Sequence, residues 1–130
     1  MIAVDTNVVV RLLVADDLKQ SARARALFDA ETIWLAKTVI LETEWVLRRL
    51  YDLDRARVAD ALSAVIALPN VRCEDEDAVI EALGWASKGV DFADALHLAS
   101  ARGATRFASF DRQLAKRAKS AAVGISIAQP

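Results

Sequence analysis

Cysteine, histidine, glycine and proline are scarce in this chain of 130 residues, and each scarcity narrows what the protein can be. The one cysteine, Cys73, cannot form an internal disulfide, and one cysteine with one histidine cannot build a zinc site of the Cys/His type. A chain without disulfides is typical of a reducing compartment, so we expect a cytoplasmic protein. The four glycines and two prolines predict short loops and many helices.

Long apolar runs and an excess of charge of either sign are also absent. No run approaches the roughly 18–20 apolar residues of a membrane-spanning helix, so we expect no membrane partner. The net charge is −1, so any binding of nucleic acid requires a local basic patch. Hydrophobic residues make up 55% of the chain and charged residues 27%, which is typical of a globular protein. We therefore predict one domain over residues 1–130.

Short apolar runs alternate with helical patterns along the whole chain. Strands are predicted near residues 2–4, 32–36, 71–73, 106–108 and 125–127. Helices are predicted near residues 8–15, 18–30, 38–51, 54–68, 78–87, 91–102 and 112–119. This order predicts an α/β fold: a three-layer α/β/α arrangement with a central, mainly parallel sheet of about five strands. Thr6 and Asn7 are predicted as the N-cap of the first helix. The three tryptophans, Trp34, Trp45 and Trp85, are predicted as core residues.

Two aspartates stand where predicted parallel strands end. Asp5 follows the first strand, and Asp111 follows the fourth. Ligands of open parallel sheets bind at the carboxyl ends of the strands, so both positions are candidates for a functional site. Each also has a structural alternative: Asp5 as a strand-end cap, and Asp111 as the N-cap of the last helix.

The stretch DFADALHLASARG, residues 91–103, is typical of a largely buried helix. Asp91 is best explained as its N-cap, whereas Asp94 lies between two alanines of the apolar segment. A buried carboxylate destabilises a fold unless something pairs with it, so Asp94 requires an explanation. His97, the only histidine, is interpreted as a structural residue that is buried or half-buried.

The segment LETEWVL offers two glutamates, and their spacing separates them. Glu44 has Arg48 four residues further on, in the order that favours a surface ion pair. Glu42 has Trp45 and Val46 at i+3 and i+4, which indicates an apolar face. We therefore predict Glu42 as the functional glutamate and Glu44 as a structural surface residue.

Carboxylates that converge on one cleft repel one another, so such a site raises their pKa values or recruits a cation. With oxygen ligands alone, that cation is Mg²⁺ or Mn²⁺. Mg²⁺ commonly binds through one or two carboxylates and substrate phosphates, which favours phosphoryl chemistry with an activated water. The four candidate acids are Asp5, Glu42, Asp94 and Asp111.

With these residues in place, the sequence resembles the PIN-domain ribonucleases, and among them the VapC-type toxins of bacterial toxin–antitoxin pairs. The resemblance is carried by DTNVVVRLL, LETEWVL, DFADALHLASA and FASFDRQLAK, which span nearly the whole chain in the family's order. It implies an endoribonuclease that depends on Mg²⁺ or Mn²⁺ and leaves 5′-phosphate and 3′-hydroxyl ends. The family's four acids fall on Asp5, Glu42, Asp94 and Asp111.

The resemblance also implies roles for individual residues. Asp5 and Asp94 are expected as the main metal ligands, and Glu42 and Asp111 are expected to position water and a second metal. Auxiliary positions around them are Thr6, Asn7, Asp91 and Ser109.

Expected partners are an RNA substrate and a cognate antitoxin that blocks the site, with a homodimer that forms a larger assembly with antitoxin. Helix surfaces near residues 18–30 and 55–68 are candidates for the antitoxin groove. Arg112, Lys116 and Lys119 share one helical face and are candidates for RNA backbone contacts, although a solvated surface is the structural alternative. Further basic candidates are Arg11, Arg48 and Arg49.

Two other functions stay open: a PIN nuclease of housekeeping RNA processing, and a PIN-like module that binds RNA or protein without cleaving. No aromatic-rich platform identifies the target RNA, and no glycine-rich phosphate loop is present.

Overall fold

The structure is a computed structural model that describes every residue from Met1 to Pro130. The chain forms seven helices and five strands. The chain divides into two compact units, an N-terminal unit over Met1–Glu76 and a C-terminal unit over Asp77–Pro130. The expectation of one domain over residues 1–130 stays a prediction. None of the helices combines the length and the apolar character that crossing a membrane requires.

The N-terminal unit contains three strands and four helices. In chain order these are β1 (Ile2–Ala3), α1 (Thr6–Leu13), α2 (Leu18–Ala30), β2 (Ile33–Leu35), α3 (Lys37–Arg49), α4 (Arg55–Ile66) and β3 (Val71–Cys73). Aspartate side chains begin three of the helices by accepting hydrogen bonds from backbone N–H groups of the first turn: Asp5 for α1, Asp17 for α2 and Asp54 for α4.

The three strands of this unit form a parallel sheet in the order β1–β2–β3. Ile2 pairs with Ile33, and Ile33 pairs with Val71. The central strand β2 has Ile33 and Leu35 fully buried, as is usual for a strand covered on both faces. Asp5 lies just past the end of β1 and connects it to α1.

The core of the N-terminal unit forms where helices cover this sheet. Fully buried side chains come from α1, α3 and α4: Val9, Ile40, Leu47, Val58 and Leu62. Each buried aliphatic side chain of this size contributes about 1.5–3 kcal/mol, which fixes the helices that carry candidate site residues.

The C-terminal unit contains three helices and two strands. They are α5 (Glu76–Ser87, which begins at the last residue of the other unit), α6 (Phe92–Ala99), β4 (Arg106–Ala108), α7 (Arg112–Ser120) and β5 (Ser126–Ala128). The strands β4 and β5 pair in parallel, with Phe107 opposite Ile127. The buried residues of this unit include Leu83, Val90 and Phe92.

The predicted α/β class with parallel strands is confirmed, and five strands are present. They are distributed over a sheet of three strands and a pair of two, whereas one central sheet was expected. Each strand is only two or three residues long, so the ladders are short. A strand of this length offers few backbone hydrogen bonds for pairing with a further strand.

Two local predictions are wrong. The first helix begins at Thr6, because Asp5 supplies its N-cap in place of Thr6 and Asn7. Trp45, which was assigned to the core, is 50% exposed. The buried stripe of α3 runs through Ile40 and Leu47 at helical spacing, and Trp45 lies off that stripe.

We predict that Cys73 is unreactive in the folded protein. Burial, together with the negative charges of Glu76, Glu74 and Asp75, raises the pKa of its thiol to about 11, although Lys37 acts in the opposite direction. Because the thiolate is the reactive species, alkylation by iodoacetamide at mildly alkaline pH should be much slower in the native protein than in the unfolded chain. Equal rates in the two states would contradict this environment.

Candidate active site

Asp5 links the first strand to the first helix and is fixed by a backbone hydrogen bond. Its Oδ1 accepts from the N–H of Thr6 at 2.8 Å, so this oxygen caps the helix that follows, whereas the structural alternative was a cap of the strand end. Its Oδ2 accepts no hydrogen bond from the protein, and the residue is exposed. The cap therefore orients the carboxylate and leaves one oxygen available to a ligand.

Glu42 lies beside this first turn. The hydroxyl of Thr6, a residue that is 7% exposed, donates to Glu42 Oε1 at 2.5 Å, which ties α3 to α1. Asp5, Thr6, Asn7 and Glu42 line one cavity of about 340 Å³, which we name the α1–α3 cavity. Within the N-terminal unit, the structure thus brings together two predicted acids and both predicted auxiliary residues.

The argument that selected Glu42 from the sequence rested on a wrong helical face. Glu44 is 3% exposed, and its Oε2 accepts from Arg48 Nε at 2.5 Å. The predicted ion pair is therefore present, but it is buried and not on the surface. The spacing of Ile40 and Leu47 signals this, because they belong to a buried stripe that includes Glu44. Glu42 itself is exposed.

The helix α6 of the C-terminal unit places Asp91 and Asp94 in one turn. Asp91 Oδ2 accepts from the N–H of Asp94 at 3.3 Å and is the N-cap, as predicted. Asp94 is half-buried, and its carboxylate accepts no hydrogen bond from the protein. His97 is exposed, so its interpretation as a buried or half-buried residue is wrong.

Asp111 begins α7 and is also a helix cap. Its Oδ1 accepts from the N–H groups of Gln113 and Leu114 at 2.9 and 3.1 Å, which leaves Oδ2 without a protein partner. The hydroxyl of Ser109 accepts from the N–H of Asp111 at 3.0 Å and holds the turn before the helix. Asp111 thus repeats the arrangement of Asp5.

The electrostatics of Asp94 show that these acids repel. Burial raises the pKa of Asp94, the negative charges of Asp91 and Asp111 raise it further, and His97 and Arg117 act in the opposite direction. Three carboxylates of the C-terminal unit are therefore close enough to disfavour full ionisation. A cation in this field would relieve the repulsion.

An aromatic side chain precedes Asp111 in the sequence, and basic side chains follow it. Arg112, Lys116 and Lys119 are all exposed on α7, as their spacing predicts. Phe110, directly before Asp111, is 75% exposed and presents an aromatic face that sequence reasoning missed. The sequence Ser109-Phe110-Asp111 does not by itself predict this exposure, because another phenylalanine nearby, Phe107 of β4, is half-buried.

A family model for the PIN domain matches residues 2–120. The chain belongs to the PIN domain family. A comparison with curated proteins gives no match. PIN domains are generally nucleases, and they usually use divalent metal ions.

The donor set of this PIN domain suits such an ion. Its candidate ligands are carboxylate oxygens, the type that Mg²⁺ and Mn²⁺ prefer, and Asp5 and Asp111 each keep one oxygen free. No group of three or more acidic, histidine or cysteine side chains is arranged to hold a metal ion. Binding through one or two carboxylates, with water in the other positions, is the mode that these residues fit.

We predict opposite behaviour for the two glutamates of this PIN domain in chemical denaturation. Glu44→Gln removes one partner of a buried pair and should lower the free energy of unfolding by roughly 2 kcal/mol. Glu42→Gln is exposed and keeps an acceptor for the Thr6 hydroxyl, so its change should stay within about 0.5 kcal/mol. A stable Glu44→Gln variant beside an unstable Glu42→Gln variant would contradict the assigned faces.

We predict that Asp94→Asn stabilises the metal-free PIN domain at neutral pH. The pKa of Asp94 is raised by folding, so its ionised form destabilises the fold above that pKa, and the penalty vanishes as the carboxylate is protonated. Because Asp94 is only half-buried, solvent screening limits the gain to less than about 1 kcal/mol.

Urea denaturation in EDTA should therefore show a difference between wild type and Asp94→Asn that shrinks as the pH falls through the raised pKa. Asp60→Asn, an exposed change on α4, is the control. A wild type that is more stable than Asp94→Asn at neutral pH, with an advantage that is lost as the pH falls, would mean that the Asp94 carboxylate is stabilised, and the repulsion argument would be wrong.

Proposed function

We propose that this PIN domain is a Mg²⁺- or Mn²⁺-dependent endoribonuclease that acts as the toxin of a toxin–antitoxin pair, as the resemblance to VapC-type toxins suggests. The observation that carries the proposal is the orientation of the acids. Asp5 and Asp111 are each fixed through one carboxylate oxygen by a helix N-terminus, and the other oxygen has no protein partner. Purely structural caps need no further acids nearby, yet Glu42 lines the cavity of Asp5, and Asp94 lies in the field of Asp111.

The residues proposed as the main metal ligands are Asp5 and Asp94, as the resemblance to VapC-type toxins implies. When bound, a divalent ion supplies charge neutralisation at the scissile phosphate and lowers the pKa of a water molecule. The protein supplies the orientation. The Thr6 hydroxyl holds Glu42 Oε1, which leaves Oε2 free to accept a hydrogen bond from the attacking water. Ser109 holds the backbone of Asp111 so that its carboxylate keeps one direction.

The RNA backbone is proposed to contact the exposed basic face of α7. Arg112, Lys116 and Lys119 offset the negative charge of the acids, and such contacts add affinity without reading sequence. The products proposed are fragments with 5′-phosphate and 3′-hydroxyl ends.

A cognate antitoxin is proposed to bind the groove between α1 and α2. This cavity of about 580 Å³ is lined by Arg11 and Arg23 beside the apolar side chains of Val8 and Leu27. Such a lining is complementary to an amphipathic helix that carries acidic residues. We further propose that the toxin is a cytoplasmic homodimer that forms a larger assembly with antitoxin.

The proposal predicts cleavage of total RNA by the purified protein with Mg²⁺ or Mn²⁺ but not with EDTA. Asp5→Asn and Asp111→Asn should each lower the cleavage rate by at least about 100-fold, because the first removes the charge of a proposed metal ligand and the second that of an acid proposed to position water and a second metal. Asparagine is as good an N-cap as aspartate, so both variants should keep the stability of wild type within about 0.5 kcal/mol.

The matched control is Asp54→Asn, because Asp54 caps α4 through the N–H of Arg57 and lies outside the candidate site. This variant should cleave RNA at the wild-type rate. Cleavage that resists EDTA, or an active Asp111→Asn variant, would refute the proposed site. Growth arrest that a neighbouring small gene relieves would separate a toxin from a housekeeping nuclease.

A further inference from the structure

We propose that the α1–α3 cavity binds one nucleotide of single-stranded RNA next to the bond that is cleaved. Its phosphate contacts Arg11, and its base packs on Tyr51 and Leu50. This inference rests on the proposed function and names the part of the substrate that one side of the site holds. It starts from the lining of the cavity, in which Asp5 and Glu42 share one space with Arg11, Tyr51 and Leu50.

Arg11 is held in place by hydrogen bonds from two of its nitrogens. Its Nε donates to Gln20 Oε1 at 2.7 Å, and its Nη1 donates to Asp16 Oδ1 and to the Tyr51 hydroxyl, both at 3.1 Å. Its Nη2 has no protein partner. The guanidinium is thus ordered before any ligand arrives, which lowers the entropy lost on binding. A fixed guanidinium beside carboxylates that bind a cation is suited to a phosphate group.

Tyr51 is ordered by the same network. Its hydroxyl donates to Asp16 Oδ2 at 2.7 Å while it accepts from Arg11, so the ring is tethered at its polar end. Leu50, which also lines this cavity, is 68% exposed. An aromatic ring and an exposed aliphatic side chain next to a fixed cation match the two halves of a nucleotide, its base and its phosphate.

The size of the cavity sets the form of the RNA. A volume of about 340 Å³ is at the lower limit of ligand sites and suits one nucleotide. A base within a duplex is stacked on both faces and cannot contact Tyr51 and Leu50. The site therefore selects RNA whose base is splayed out of a loop, a bulge or a single strand.

The first test measures binding of a short single-stranded oligoribonucleotide in EDTA, where no metal-dependent cleavage occurs. Leu50→Glu should weaken binding about tenfold or more, because it adds charge where the base packs. The matched control is Leu18→Glu, since Leu18 is 76% exposed on α2 and does not line the α1–α3 cavity. Binding by Leu50→Glu that equals that of Leu18→Glu would overturn the inference, as would undetectable binding by the wild type.

The second test uses salt to detect the phosphate contact. Arg11→Gln should reduce the slope of log K against log salt concentration by about 0.7, the loss of one contact to single-stranded nucleic acid. Arg25→Gln, an exposed arginine of α2, should leave the slope unchanged. Equal slopes for wild type and Arg11→Gln would assign Arg11 to structure alone.

Rescue by a conservative variant tests the role of the ring. Tyr51→Phe keeps the ring and should retain most of the RNA affinity, whereas Tyr51→Ala should lose about tenfold. Equal affinity for the two variants would contradict stacking.

The outcome separates this inference from the proposed function. Metal-dependent cleavage with an unchanged KM in Leu50→Glu would refute the nucleotide site and leave the nuclease. Binding that is lost in Leu50→Glu, without cleavage by the wild type, would support the nucleotide site and refute the nuclease. If Leu50→Glu bound RNA normally but lost its antitoxin, the cavity would be a protein-binding surface, and the inference would be wrong.

Discussion

Hydrogen bonds from the first turns of helices to aspartate side chains position three acids of the candidate site. Asp5, Asp91 and Asp111 each begin a helix, and each accepts at least one backbone N–H group. Such a cap fixes the direction of the carboxylate. Because a carboxylate has two oxygens, a single side chain can begin a helix and still offer an oxygen to a ligand, as Asp5 and Asp111 do.

This dual use explains what the sequence could and could not predict. The residues after the strands were identifiable as caps or as site residues, and the two readings are compatible for Asp5 and Asp111. The parallel α/β class followed from the alternation of apolar runs and helical patterns. The buried and exposed faces of α3 could not be predicted in the same way, because the prediction relied on the apolar residues next to Glu42. The spacing of Ile40 and Leu47 instead defines a buried stripe that includes Glu44. The pairing of the strands could not be predicted either, because strands of two or three residues carry too little sequence pattern to specify their partners.

Charge balance connects the acids to their surroundings. In the C-terminal unit, burial and the charges of Asp91 and Asp111 raise the pKa of Asp94, and His97 and Arg117 offset this only in part. In the N-terminal unit, Arg11 lies in the same cavity as Asp5 and Glu42, but it bonds to Asp16 and Gln20 and not to these acids. The acids and Arg11 are therefore fixed separately. This arrangement favours a cation at the acids and a phosphate at Arg11, because each ligand meets an oriented group of opposite charge.

The most direct test of the account is a titration of the Asp94 carboxyl group by carbon NMR, with and without Mg²⁺. Without the ion, the account predicts a pKa above the ordinary value for aspartate, because burial and the neighbouring acids both disfavour the charged form. With Mg²⁺ present, the pKa should fall below its metal-free value, since a bound cation favours the ionised form. The same Mg²⁺ should leave the carboxyl chemical shift of Asp60, which lies on the exposed side of α4, unchanged. A pKa of Asp94 that ignores Mg²⁺ would mean that this carboxylate does not bind the ion, and the proposed metal site would be wrong.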